Sequence, residues 1–119
     1  MDEKLIIYQK YSDLIQYVYG LLVKYPKFEK FALVSEIRKN MFDSLQKILL
    51  IQHNFSAERK LELINELDAM VSMHKYLVRF SYQQKYINGS NYMEWSKRIN
   101  EIGKAIGGWY KYFKKGNQI

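Results

Sequence analysis

Two histidines, His53 and His74, are the side chains here that could carry a proton near neutral pH. No catalytic or metal-holding pattern assembles around them. The sequence holds no His-Glu-x-x-His or Glu-x-x-His pair, no phosphate-binding glycine loop and no nucleophile elbow. A di-iron bundle would require inward carboxylates on several helices, two of them in Glu-x-x-His pairs. Here Glu36, Asp43, Glu62, Glu66, Asp68, Glu94 and Glu101 mostly fall off the apolar stripes. His74 sits within such a stripe and reads as a packing histidine, whereas His53 lies at a frayed helix end and reads as a surface one. The expectation is no catalytic residue, no metal and no cofactor.

The chemistry that remains is recognition of a polyanion. Residues 93–115 read MEWSKRINEIGKAIGGWYKYFKK. Trp95, Ile99, Ile102, Ile106, Trp109 and Phe113 recur at alternating spacings of four and three, one apolar side of an α-helix. Lys97, Arg98, Lys104, Lys111, Lys114 and Lys115 fall on its other faces. Tyr110 to Lys115 interleave aromatic and basic residues, a pattern that can stack on bases while holding phosphate. On their spacing Trp109 and Phe113 belong to the core, while Tyr112 and Lys111 remain open to either role. Residues 1–84 carry 12 Lys/Arg and 10 Asp/Glu, net +2, whereas residues 85–119 carry 7 and 2, net +5. A basic end on a nearly neutral body fits a phosphate-facing surface. A solubilising surface with snorkelling lysines is the other reading.

Gly103, Gly107 and Gly108 interrupt this helix, each costing about 1 kcal/mol relative to alanine. Gly103 and Gly107 lie four apart on one side, so the expectation is close approach of another backbone, from the bundle or from a neighbouring copy.

Four helices are expected to position these residues, over about 8–24, 28–53, 57–86 and 91–115. Leu14, Val18, Leu21 and Leu22 mark the first, which Pro26 ends by disfavouring the α region before it. Phe31, Val34, Ile37, Met41, Leu45, Ile48 and Gln52 are expected down one face of the second. Ser56 is placed to cap the third, whose stripe is Leu63, Leu67, Met70, His74, Leu77 and Phe80, and Ser90 to cap the fourth. No strand is needed. Short connections imply an all-α, antiparallel up-down-up-down four-helix bundle forming one domain. With 119 residues, 48% of them apolar and a single proline, the chain is neither disordered nor collagen-like. The absence of cysteine excludes disulfide and thiolate metal sites and points to a reducing, cytoplasmic setting. No secretory signal is read at the N-terminus, and no apolar run approaches the roughly 20 residues of a membrane span, so no membrane partner is expected.

Several segments resemble a known family. Tyr25-Pro26-Lys27-Phe28-Glu29-Lys30-Phe31, followed by Ile37-Arg38, is similar to the P-K-x-E-R-F … I-R start of the second helix in small bacterial four-helix-bundle proteins. Leu77-Val78-Arg79-Phe80-Ser81-Tyr82 resembles their L-x-R-L-A segment, and Tyr86-Ile87 with Tyr92 follows. Glu101-Ile102-Gly103-Lys104-Ala105-Ile106-Gly107-Gly108-Trp109 resembles their closing E-I-G-R-M-L-G-G-W signature. These are the accessory variability determinant (Avd) proteins of diversity-generating retroelements, whose fold is shared by proteins encoded in intervening sequences of large-subunit rRNA genes. Lys30 departs from the arginine common there, which weakens any bidentate pairing.

The resemblance implies a homopentameric barrel of bundles, non-enzymatic, that binds the element's reverse transcriptase and its template RNA or cDNA and supports mutagenic retrohoming. Five copies at +7 each would carry +35. Phosphate contact is expected from Lys97, Arg98, Lys104, Lys111, Lys114 and Lys115. Arg38, Lys39 and Arg79 are secondary candidates, with Arg38 able to pair with an acid such as Glu101. The alternative is a structural, oligomerising bundle of the intervening-sequence type with no nucleic-acid role.

Overall fold

A computed structural model describes residues 3–117. Four α-helices run in order: α1 (Glu3–Leu22), α2 (Leu33–His53), α3 (Ala57–Gln83) and α4 (Gly89–Asn117), with a single 3-10 turn at Lys27–Glu29. Among the described residues there is no strand. Each helix packs on its neighbours in sequence, and α4 closes on α1. Diagonal pairs do not meet, which is the square arrangement of a four-helix bundle. Cross-helix pairs fix the antiparallel sense: on α2 and α3, Asn40 meets His74 while Lys47 meets Glu66.

The core follows the apolar spacing. Leu14, Val18, Leu21 and Leu22 of α1 are buried, joined by Ile7, Tyr11 and Ile15. Trp95, Ile99, Ile102, Ile106 and Trp109 of α4 are buried, and Phe113 is half-buried at the end of that stripe. The α3 stripe is corrected in part: Met70 and Phe80 are only half-buried, and Ile64, Val71 and Val78 fill the space instead.

Helix ends depart from the expected bounds for local reasons. Pro26, at φ −57° and ψ 145°, leads into the 3-10 turn, and Ala32 at φ −117° and ψ −101° separates that turn from α2. The second helix therefore starts at Leu33 rather than 28, with the Glu29 carboxylate accepting the Leu33 backbone N–H. Phe31 consequently lies outside the helix and is 87% exposed, so it is not a core residue. Leu33 and Ile51 are buried on α2, while Leu45 and Gln52 are half-buried. Ser56 does cap α3, accepting from the Arg59 backbone N–H at 3.2 Å. That helix ends at Gln83, three residues earlier than expected. The Lys85 N–H bonds to the Tyr82 carbonyl and the Tyr86 N–H to the Ser81 carbonyl, with Lys85 at φ 65°. This is a Schellman closure with lysine in the left-handed position that glycine usually takes. Asn88, not Ser90, caps α4: its Oδ1 accepts the Asn91 N–H at 2.7 Å.

Candidate nucleic-acid interface

Because the α4 stripe is committed to the core, the helix turns its opposite side outward. Lys97, Lys104, Lys111 and Lys115 stand there, seven, seven and four residues apart, all exposed. Their row extends about 27 Å at 1.5 Å per residue. Lys114 lies on the α3 side of the row, with its ammonium 5.8 Å from the Tyr110 ring centroid. Tyr110, Lys111, Lys114 and Lys115 line one shallow concavity.

The two carboxylates of α4 itself are engaged elsewhere, and Asp68 of α3, which borders the row, forms no ion pair with it among the described residues. Glu101 turns toward α1, where it meets Lys10 at 3.5 Å. Glu94 is held by Arg98 at 2.9 Å. None of Lys97, Lys104, Lys111, Lys114 and Lys115 forms an ion pair among the described residues.

The antiparallel register adds a second strip of charge from α3. Asp68, Ser72, Lys75 and Arg79 are four, three and four residues apart and share one face. Asp68, Ser72 and Lys75 line a groove with Asn100, Gly103 and Lys104. Lys75 was not singled out by sequence reasoning. Its spacing to Arg79 was available, but only the tertiary register shows that both extend the α4 face.

The nine candidates therefore divide. Lys97, Lys104, Lys111, Lys114, Lys115 and Arg79 fall on one α3–α4 face. Arg98 is half-buried on the α1–α4 seam, paired with Glu94 and 4.7 Å from the Tyr17 ring centroid. Arg38 and Lys39 lie on α2, outside that face. The Arg38–Glu101 pairing does not form: Arg38 lies over the Tyr19 ring at 5.8 Å, at a different corner of the bundle. Lys39 is paired with Asp43 at 3.0 Å.

The glycines do not pack tightly within the subunit. A Cβ at Gly103 would meet Lys75 Nζ at 3.7 Å and Val71 at 3.8 Å, ordinary contacts, while Gly107 and Gly108 have no such neighbour within 4 Å. Gly107 instead keeps open a hollow shared with Asn65, Asp68 and Tyr110. Tyr112 is 67% exposed, touching Phe113 edge-on, so its ring is not at the core edge but largely in solvent.

His74 behaves as a packing residue. Burial depresses its pKa to about 4, so it is neutral at physiological pH. His53 is exposed at the end of α2. Among the described residues no cluster of His, Asp and Glu could hold a metal ion, and no helix is long and apolar enough to cross a membrane.

A family model described as bAvd-like matches residues 5–113. No curated protein matches the chain.

Proposed function

Since the chain belongs to the bAvd-like family, we propose that it is a non-enzymatic accessory protein of a diversity-generating retroelement. In this reading it binds template RNA or cDNA together with the element's reverse transcriptase, acts as a homopentamer in the cytoplasm, and supports mutagenic retrohoming. The polymerase performs all the chemistry.

The observation that carries the nucleic-acid part is the unneutralised lysine row of α4, flanked by Lys75 and Arg79 of α3. Paired surface charges contribute little long-range attraction, whereas unpaired ones in a row condense on phosphate and displace its counterions. Lys111 and Lys114 beside Tyr110 and the exposed Tyr112 supply aromatic faces among the cations, which suits single-stranded template. Arg38, Lys39 and Arg98 contribute less here, because each is turned to an intramolecular partner or lies off the face.

The test is co-expression with the reverse transcriptase encoded beside the gene, followed by co-purification and mass measurement in solution. A stoichiometric complex containing five copies supports the reading. A well-folded chain that neither associates with the polymerase nor retains RNA returns it to the structural, oligomerising alternative.

A further inference from the structure

On the side of the bundle away from the lysine row, a pocket of about 300 Å3 opens where α1 turns into α2. Its apolar lining includes Leu22, Val23 and Val34, and Lys27, Lys30 and Arg38 also line it. No lining residue is acidic. The three cations have no carboxylate partner among the described residues. The one acid in the same turn, Glu29, is already bound by the Tyr86 hydroxyl at 2.9 Å and the Leu33 N–H at 3.3 Å. Around the pocket, Val23, Phe28 and Phe31 are 80%, 75% and 87% exposed, an uncovered apolar surface of the sort that marks a binding site.

We infer that this pocket docks an acidic segment of a partner protein, inserting one large apolar side chain while flanking carboxylates meet Lys27, Lys30 and Arg38. The inference goes beyond the nucleic-acid reading and stands on a different face. Leu22, Val23, Pro26 and Val34 offer little to the polar edges of bases, the Tyr25 ring is buried, and Arg38 already covers one face of the Tyr19 ring that a base could have stacked on. The cations ring a single hollow instead of tracking a strand. A second copy of this chain is a poor occupant. Its Asp43, Glu62, Glu66, Glu94 and Glu101 are already matched to cations of their own subunit, and each copy carries +7. Glu36, Glu58 and Asp68 form no ion pair among the described residues, but a second copy would bring them together with its own net +7. An acidic segment brings carboxylates beside an apolar anchor without that opposing charge.

A phage-displayed random dodecapeptide library selected against the full chain tests this, with enriched peptides synthesised and titrated by fluorescence anisotropy. Enriched sequences should carry Asp or Glu flanking Leu, Phe or Trp. Their affinity should fall at least about tenfold in both Lys27→Glu/Lys30→Glu and Val23→Glu. It should be unmoved by Lys104→Ala/Lys111→Ala. Binding of a single-stranded RNA 20-mer should change less than about threefold in Val23→Glu, because Val23 lines the pocket on the α1–α2 side and not the α3–α4 face. Circular dichroism confirms folding of each variant. Enrichment of peptides without acids, indifference to Val23→Glu, a loss of RNA binding that matches the loss of peptide binding, or a change of oligomer mass in Val23→Glu would each overturn the proposal. Failure here leaves the lysine-row reading standing, and failure of the lysine row leaves this one standing.

Discussion

Trp95 of α4 donates its indole N–H to Nε2 of His74 on α3 at 2.8 Å, with both residues fully buried. With Nε2 accepting, the ring proton sits on Nδ1 and is donated to Asn40 Oδ1 of α2 at 3.0 Å. Asn40 in turn donates from Nδ2 to the Met70 carbonyl. One polar chain therefore ties three helices at mid-bundle and fixes the rotation of α4. That rotation keeps the Trp95–Trp109 stripe inward and the lysine row outward.

Protonating His74 would set a ring N–H against the indole N–H, so stability should depend on pH through this residue. Its folded pKa is depressed to about 4 from an unfolded value of about 6.5. The unfolded chain then binds the proton first. The contribution is complete above about pH 6.5 and is lost as pH falls towards 4. Between pH 7.5 and 5 the loss should be about 2 kcal/mol. Urea melts at the two pH values measure it, and His74→Gln should remove most of the difference while lowering stability at both.

Lys85 in the left-handed region bears a strain that glycine would not. Lys85→Gly should raise stability by about 0.5–1 kcal/mol despite the extra freedom it gives the unfolded chain. Thermal unfolding reads this directly, and a destabilised variant would mean the lysine side chain holds the turn.

Gly107 and Gly108 face open space in the subunit, so alanine at either should strengthen the helix by about 0.5–1 kcal/mol. If the bare backbone serves a copy-to-copy contact, the same substitution should raise subunit stability while lowering the mass seen by light scattering. The two readouts moving in opposite directions would locate the glycines at an assembly interface.

Much of this bundle was legible because the apolar spacing of α1 and α4 is nearly unbroken. Trp95 to Phe113 could be assigned to the core by counting, and the lysine row followed as its complement. Ser56 as a cap needed only local chemistry. What escaped was set by distant partners. Phe31 left its expected stripe because Glu29, bonded to Tyr86 57 residues away, starts α2 at Leu33. Lys75 joined the α4 face only through antiparallel register. Arg38 and Glu101 were well matched in charge, but the square arrangement puts them on helices that do not touch.

A salt titration of single-stranded RNA binding tests the central claim most directly. If Lys97, Lys104, Lys111, Lys114 and Lys115 each neutralise a phosphate, log affinity should fall with log salt at a slope of about −3.5 per engaged subunit. Lys111→Ala/Lys114→Ala/Lys115→Ala should make that slope shallower by about 2 and weaken binding at low salt, with thermal stability unchanged. A variant that binds with the wild-type affinity and slope would contradict the assignment of this face to nucleic acid.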